Sequence, residues 1–138
     1  RVRLSQRKGL PAERPARPDA VGMRLGNLRM FLEGGGSGFV AHAPDGRIYG
    51  YVATFPKSDH LEFFTLASDI EVQTGRLLIR AVQQEAHRLD LPEARFEAAN
   101  DEAAIRYYAR LGASPIDPPE TWGSAVRMRI LALAPAKR

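Results

Sequence analysis

The 138-residue chain contains no cysteine, which excludes disulfides, thiolate metal ligands and a cysteine nucleophile. Its three histidines, His42, His60 and His87, are scattered and show no metal-ligand spacing, so no metal is expected. No run approaches the roughly 18 consecutive apolar residues of a membrane span, and no segment has the layout of a signal peptide. A cysteine-free chain of this kind suits a reducing compartment, and a cytoplasmic location without a membrane partner is expected.

The apolar share of 44% and the charged share of 26% are those of an ordinary globular domain, and the length fits a single core. The net charge of +4 is unevenly placed. Residues 1–30 carry eight Arg/Lys against Glu13 and Asp19, whereas the remainder is slightly acidic. Residues 1–18 therefore form a basic, proline-rich arm, and residues 19–138 the folded domain. No aromatic residues interleave with these charges to stack on bases, which argues against nucleic acid and for a solvated arm.

Periodicity gives the element order. Arg1–Leu4 alternates as a short edge strand, and Gln6–Pro18 is rich in breakers. Asp19 caps an expected helix to Glu33, with Val21, Leu25, Leu28 and Leu32 on one face; Gly22 and Gly26 weaken it by roughly 1 kcal/mol each. Gly34-Gly35-Gly36-Ser37-Gly38 reads as a flexible connector rather than a phosphate cradle, because no helix follows to supply a positive end. Phe39–Ala43 and Arg47–Ala53, joined by Pro44-Asp45-Gly46, predict a hairpin. Pro56–Asp59 is a turn, and His60–Leu66 a strand. Gly75–Leu89 is the clearest helix, with Leu78, Val82, Ala86 and Leu89 aligned. Ala94–Ala99 is a strand with Phe96 inward. Ser114–Ser124 is a loop, and Ala125–Leu133 a strand placing Val126, Met128 and Ile130 opposite Arg127 and Arg129.

The richest segment is Asn100–Gly112. Asn100 or Asp101 can cap a helix, and Gly112 suits the left-handed residue beyond its end. Ala104, Ile105, Tyr108 and Leu111 share one side, so Tyr108 points toward the rest of the fold. Aligned on Asp101, Ala104, Tyr108 and Gly112, the segment resembles the Asn-x-x-Ala-x-x-x-Tyr-x-x-x-Gly signature of the GNAT superfamily of acyl-CoA N-acetyltransferases. The Asp-Gly-Arg-Ile-Tyr-Gly-Tyr-Val hairpin at residues 45–52 is also similar to that family's. The resemblance spans roughly Phe39–Ile130. Ala113–Ile116 and Trp122 further resemble the diamine and polyamine acetyltransferase branch.

That resemblance implies an α/β fold, with a mixed, mostly antiparallel sheet flanked by helices. It also implies transfer of an acetyl group from acetyl-CoA, as co-substrate, to a primary amine of a small molecule or peptide. Tyr108 stands where the family keeps its general acid. A phenol, with a reference pKa of about 10, can protonate a departing thiolate, whose reference value is about 8.5. Tyr107, about 100° round the helix, is the poorer candidate. Glu62 stands where family members carry a carboxylate able to accept the amine proton, although alternation with Leu61 and Phe63 equally makes it a solvent-facing residue. Leu66, Gln73, Thr74, Gly75, Arg76, Asp101 and Tyr108 are the implied coenzyme contacts.

The coenzyme loop departs from the family pattern. Ile70 replaces a basic residue or Gln, Gln73 replaces the first glycine, and Glu71 adds an unfavourable charge. Arg76 or Arg80 would have to supply the positive one. The departures leave an alternative, a catalytically inactive GNAT-like binding or regulatory module of a larger protein. Asp117 and Glu120 add an acidic loop that could attract a cationic amine. Members of the superfamily often pair through their sheets, so a homodimer is expected.

Overall fold

The computed structural model describes residues 3–7, 36–42, 44–45, 48–67 and 72–135. The expected helix at residues 19–33 and Ile70 and Glu71 of the expected coenzyme loop lie outside the described residues. Seven strands, β1 (Arg3–Arg7), β2 (Ser37–His42), β3 (Ile48–Pro56), β4 (Leu61–Ala67), β5 (Glu93–Ala99), β6 (Ser114–Pro115) and β7 (Ala125–Leu131), form one sheet. Their order is β1-β2-β3-β4-β5-β7-β6. Two helices, α1 (Val72–Arg88) and α2 (Glu102–Arg110), follow β4 and β5. The α/β architecture with a mixed, mostly antiparallel sheet is as the sequence implies. None of the described helices is long and apolar enough to cross a membrane.

The chain divides into two compact units, the first comprising Arg1–Pro56 with Phe63–Leu78. There β2 pairs antiparallel with both β1 and β3, and the β2–β3 hairpin confirms the Asp-Gly turn signal. A register shift between Ala41 and His42 marks a bulge beside that turn. The strands are longer than local preference implied. Ser37 and Gly38 belong to β2 rather than to the glycine connector, with Gly38 paired to both Arg7 and Ala53. Pairing on two sides outweighs the weak strand preference of glycine. Tyr51, Val52, Ala53 and Thr54 are all buried, so β3 is covered on both faces. The Thr54 hydroxyl donates to the Ser37 carbonyl at 3.2 Å.

The second unit comprises Lys57–Glu62 and Ile79–Arg138. Its frame is the β5–β7 ladder, antiparallel from Glu93 opposite Leu131 to Ala99 opposite Ala125. Ala94, Phe96 and Ala98 face the same side as Ile130, Met128 and Val126, and all six are buried. Burying one such large apolar side chain contributes about 1.5–3 kcal/mol. Strand β4 runs parallel to β5, with Leu61 beside Ala94 and Glu62 beside Arg95.

Helix α1 begins at Val72, three residues before the expected start at Gly75. A glycine inside a helix costs only about 1 kcal/mol, which the buried stripe of Leu78, Val82 and Ala86 outweighs. Gln73, Thr74, Gly75 and Arg76 are thus the opening turns of a helix rather than a loop before one. His87 and Arg88 at its other end complement the dipole.

Helix α2 is capped by Asp101, whose Oδ1 accepts from the Ala103 N–H at 2.9 Å. Gly112 takes φ +103° beyond its end, as the sequence implied. The Ser114–Ser124 segment is more ordered than a loop. It contains β6 and a 3₁₀ turn at Pro119–Thr121, and the Trp122 Nε1–H donates to the Asp117 carbonyl at 2.9 Å.

Replacing Asp101 by Ala should lower stability by about 1 kcal/mol through the lost cap. Gly112→Ala should cost a similar amount, about 1 kcal/mol, purely through backbone strain. An added Cβ there meets nothing nearer than Ile130 Cδ1 at 3.8 Å, an ordinary contact. Urea unfolding of both variants checks this: the midpoint falls while the slope stays constant.

Candidate active site

The approach to β4 gathers three ionisable groups within four residues. Lys57 N–H donates to the His60 carbonyl at 2.8 Å, closing the turn that delivers His60 to the strand. His60 stands in the bend just before β4 and Glu62 is the second residue of that strand, and the two side chains meet. His60 Nε2 lies 2.9 Å from Glu62 Oε1, and its Nδ1 lies 2.7 Å from Asp59 Oδ1. The ring is nearly buried, with 11% of its side chain exposed, against 37% for Glu62 and 66% for Asp59. An ionised carboxylate only accepts, so each contact needs a proton on the facing ring nitrogen or on the acid.

Charges on β5 and β7 extend this cluster across the same face. Arg95, registered beside Glu62, donates its Nε–H to Glu93 at 2.7 Å and approaches Asp59 at 3.8 Å. Arg129 lies 3.9 Å from Glu93. Arg127 makes a two-pronged pair with Asp117, both contacts 2.9 Å. The His60 hydrogen bond holds the Asp59 carboxyl below the usual carboxylate range, against desolvation, with help from the charges of His60 and Arg95. The Arg127 hydrogen bond lowers Asp117 in the same way. In return Asp117 raises Arg127, with smaller contributions from Glu62 and Glu97. Asp117 is therefore engaged by an arginine, and Glu120 stands exposed in the 3₁₀ turn.

Tyr108 belongs to the other face. Its ring packs edge-on against Phe96, with centroids 4.8 Å apart, and against Tyr107 at 5.1 Å. Because Phe96 alternates with Arg95 along β5, Glu62 and Tyr108 lie on opposite faces of that strand. The Tyr108 hydroxyl has no hydrogen-bond partner among the described residues. Asp101 spends its carboxylate on the α2 cap.

At the opening of α1 the first four amides have no partner within the helix, and its first turn holds no acidic residue. Gly75 lies in this stretch without a Cβ, and Arg76 is exposed. Such a terminus suits an anion. Leu66 lies near the end of β4. Ile70 and Glu71 lie outside the described residues.

Sequence reasoning singled out Glu62 and Tyr108 but passed over Asp59 and His60. The available signal was the His-x-Glu pattern at residues 60–62, at the start of the expected strand. Among the described residues no group of three or more His, Asp or Glu side chains could hold a metal ion.

Solved structures share this architecture. An IAA acetyltransferase from Bacillus cereus matches with a TM-score of 0.70 at 12% identity, over 95% of this chain and 99% of that one. A GNAT family acetyltransferase from Elizabethkingia anophelis, with acetyl-CoA bound, matches at 0.66 and 15% identity, over 94% of this chain and 97% of that one. The fold is that of the GNAT acetyltransferases. A spermidine N-acetyltransferase chimera from Vibrio cholerae shares the GNAT fold at a TM-score of 0.60 and 18% identity, covering 82% of this chain and 79% of that one. The enzymes named differ, so the likeness selects a fold and not an acceptor. No protein-family model and no curated protein sequence matches the chain.

The depressed Asp59 and Asp117 carboxyls set a pH dependence. A carboxyl held below its unfolded value stabilises the fold above the ordinary carboxylate range, and that contribution is lost as pH falls through the folded value. The melting temperature should therefore drop on acidification below about pH 4. Asp117→Asn should melt lower than the parent at pH 7 and converge with it at the acid end, as read by calorimetry across that range.

Proposed function

We propose that the chain is an N-acetyltransferase that moves an acetyl group from acetyl-CoA to a primary amine of a small molecule or peptide. What carries the reading is the match of nearly the whole chain to an acetyltransferase with acetyl-CoA bound. The residues present suit that co-substrate. The opening turn of α1, at Val72–Gly75, has amides without a partner inside the helix and exposed Arg76 nearby to meet a diphosphate, set against the negative charge of Glu71 in the sequence just before it. Tyr108 offers an unengaged hydroxyl. A cysteine-free chain of this kind would work in the cytoplasm.

The chemistry divides between the two faces of β5. An ammonium approaching the charged face gives a proton to the Glu62 carboxylate, and the electron pair stays on nitrogen. That pair forms the new C–N bond at the thioester carbonyl, the C–S bond breaks and the departing sulfur takes the Tyr108 proton, while the nitrogen gives its second proton to the Tyr108 phenolate and restores the phenol. The products are an amide and a free thiol. Nucleophile and leaving group are thus served from opposite sides of the strand.

Acetyl-CoA at about 100 times its dissociation constant should stabilise the protein by roughly 2.7 kcal/mol, seen as a raised melting temperature. No shift at millimolar co-substrate sinks the proposal. Tyr108→Phe should lower kcat by about 100-fold with little change in the KM for acetyl-CoA, since only the proton is lost. A Phe variant at full rate removes the acid role.

A further inference from the structure

The buried imidazole of His60 has no part in the chemistry above, yet it joins two carboxylates at hydrogen-bond distance. We propose that His60 is the positioning residue of Glu62, with Asp59 fixing the ring from behind, so that Glu62 meets the acceptor amine through its Oε2 alone. The assignment rests on the acetyl-transfer reading and adds to it the residues that aim the base.

A glutamate on a strand has three soft torsions, and a half-exposed one samples many orientations at a cost of up to about 2 kcal/mol when it is ordered. Here Nε2 sits 2.9 Å from Oε1, which occupies one carboxylate oxygen and leaves the other for substrate. The ring cannot swing, because Asp59 engages Nδ1 at 2.7 Å and the imidazole is nearly enclosed. Asp59 is itself approached by Arg95 at 3.8 Å, and Arg95 is tied to Glu93. Among the described residues, the charged groups around the pair have definite places: Asp59 in the turn before β4 and Glu62 on β4, Arg95 and Glu93 on β5, and Arg127 on β7, which Glu62 attracts at longer range. Both ring nitrogens of a buried imidazole need partners, and here both have one. Of the two partners, one stands at the base position.

In the proton step, the N–H bond of the ammonium breaks and an O–H bond forms at Oε2. The nitrogen keeps its electron pair, while the Nε2 contact at Oε1 holds the carboxyl plane. Removing the ring leaves Glu62 chemically competent but unaimed. Misplacement by about 1 Å costs on the order of 100-fold.

The test uses the full chain with acetyl-CoA and 1,6-diaminohexane as probes. His60→Gln should lower kcat about 10- to 100-fold with both KM values within twofold of the parent. Glu62→Gln should lose at least as much, and the double variant no more than Glu62→Gln alone. Asp59→Asn, at an exposed position that tolerates change, should give a smaller loss in kcat of the same kind. Independently of turnover, imidazole nitrogen–proton spectra of the histidine-labelled protein should shift at His60 Nε2 in Glu62→Gln and at Nδ1 in Asp59→Asn. Parent-level kcat in His60→Gln, additive losses in the double variant, or an unmoved spectrum overturns the positioning role while acetyl transfer stands. A parent enzyme that binds acetyl-CoA in the thermal assay but leaves the diamine unmodified overturns the role, and one that binds no acetyl-CoA removes the transfer reading itself.

Discussion

The alternation of side chains along the β5–β7 ladder is the constraint on which the rest of the second unit depends. Antiparallel pairing from Glu93 to Ala99 puts Ala94, Phe96 and Ala98 against Ile130, Met128 and Val126, and turns Glu93, Arg95 and Glu97 to the other side. One face is thereby apolar enough to bury, and the other remains a lattice of charges. A slip of one residue would exchange the two faces, burying three charged side chains at a cost of several kcal/mol. The register is consequently well determined, and every group attached to either face inherits a definite position.

Each face gathers the chemistry appropriate to it. On the buried face, Phe96 supports the ring of Tyr108 while leaving its hydroxyl unengaged. On the charged face, Arg95 ties the turn before β4 to β5 through Asp59 and Glu93. Exposed ion pairs contribute little individually, typically under about 1 kcal/mol, so this network matters less for stability than for orientation. His60 is the exception, because its ring is withdrawn from water and its partners are not. A buried polar group with both ends satisfied gives the site a fixed reference point in an otherwise mobile, solvated surface.

Much of this was legible in the residues. The Asp-Gly hairpin, the apolar stripe of α1, the Asp101 cap, the left-handed Gly112 and the alternating β7 each have a local cause, and each was found where that cause placed it. Boundaries were less legible. Gly38 lies in a strand and Gly75 in a helix because pairing and packing outweigh the roughly 1 kcal/mol that glycine costs. Asp59 and His60 escaped notice for a different reason. Neither residue is informative until the turn at Lys57–His60 brings the ring between two carboxylates, and Arg95 joins them from more than thirty positions away.

Taken alone, the sequence determined the order of the elements, the faces they bury and the identity of Tyr108 and Glu62 as candidates, since these follow from short-range periodicity and from motif resemblance. Only the tertiary structure decided that the two stand on opposite faces of β5, that Asp117 is engaged by Arg127, and that His60 is clasped by Asp59 and Glu62. The first depends on the register of β4 against β5, and the second on the pairing of two separate segments. The third depends on the turn at Lys57–His60 and the burial of the His60 ring, and local periodicity reveals none of the three.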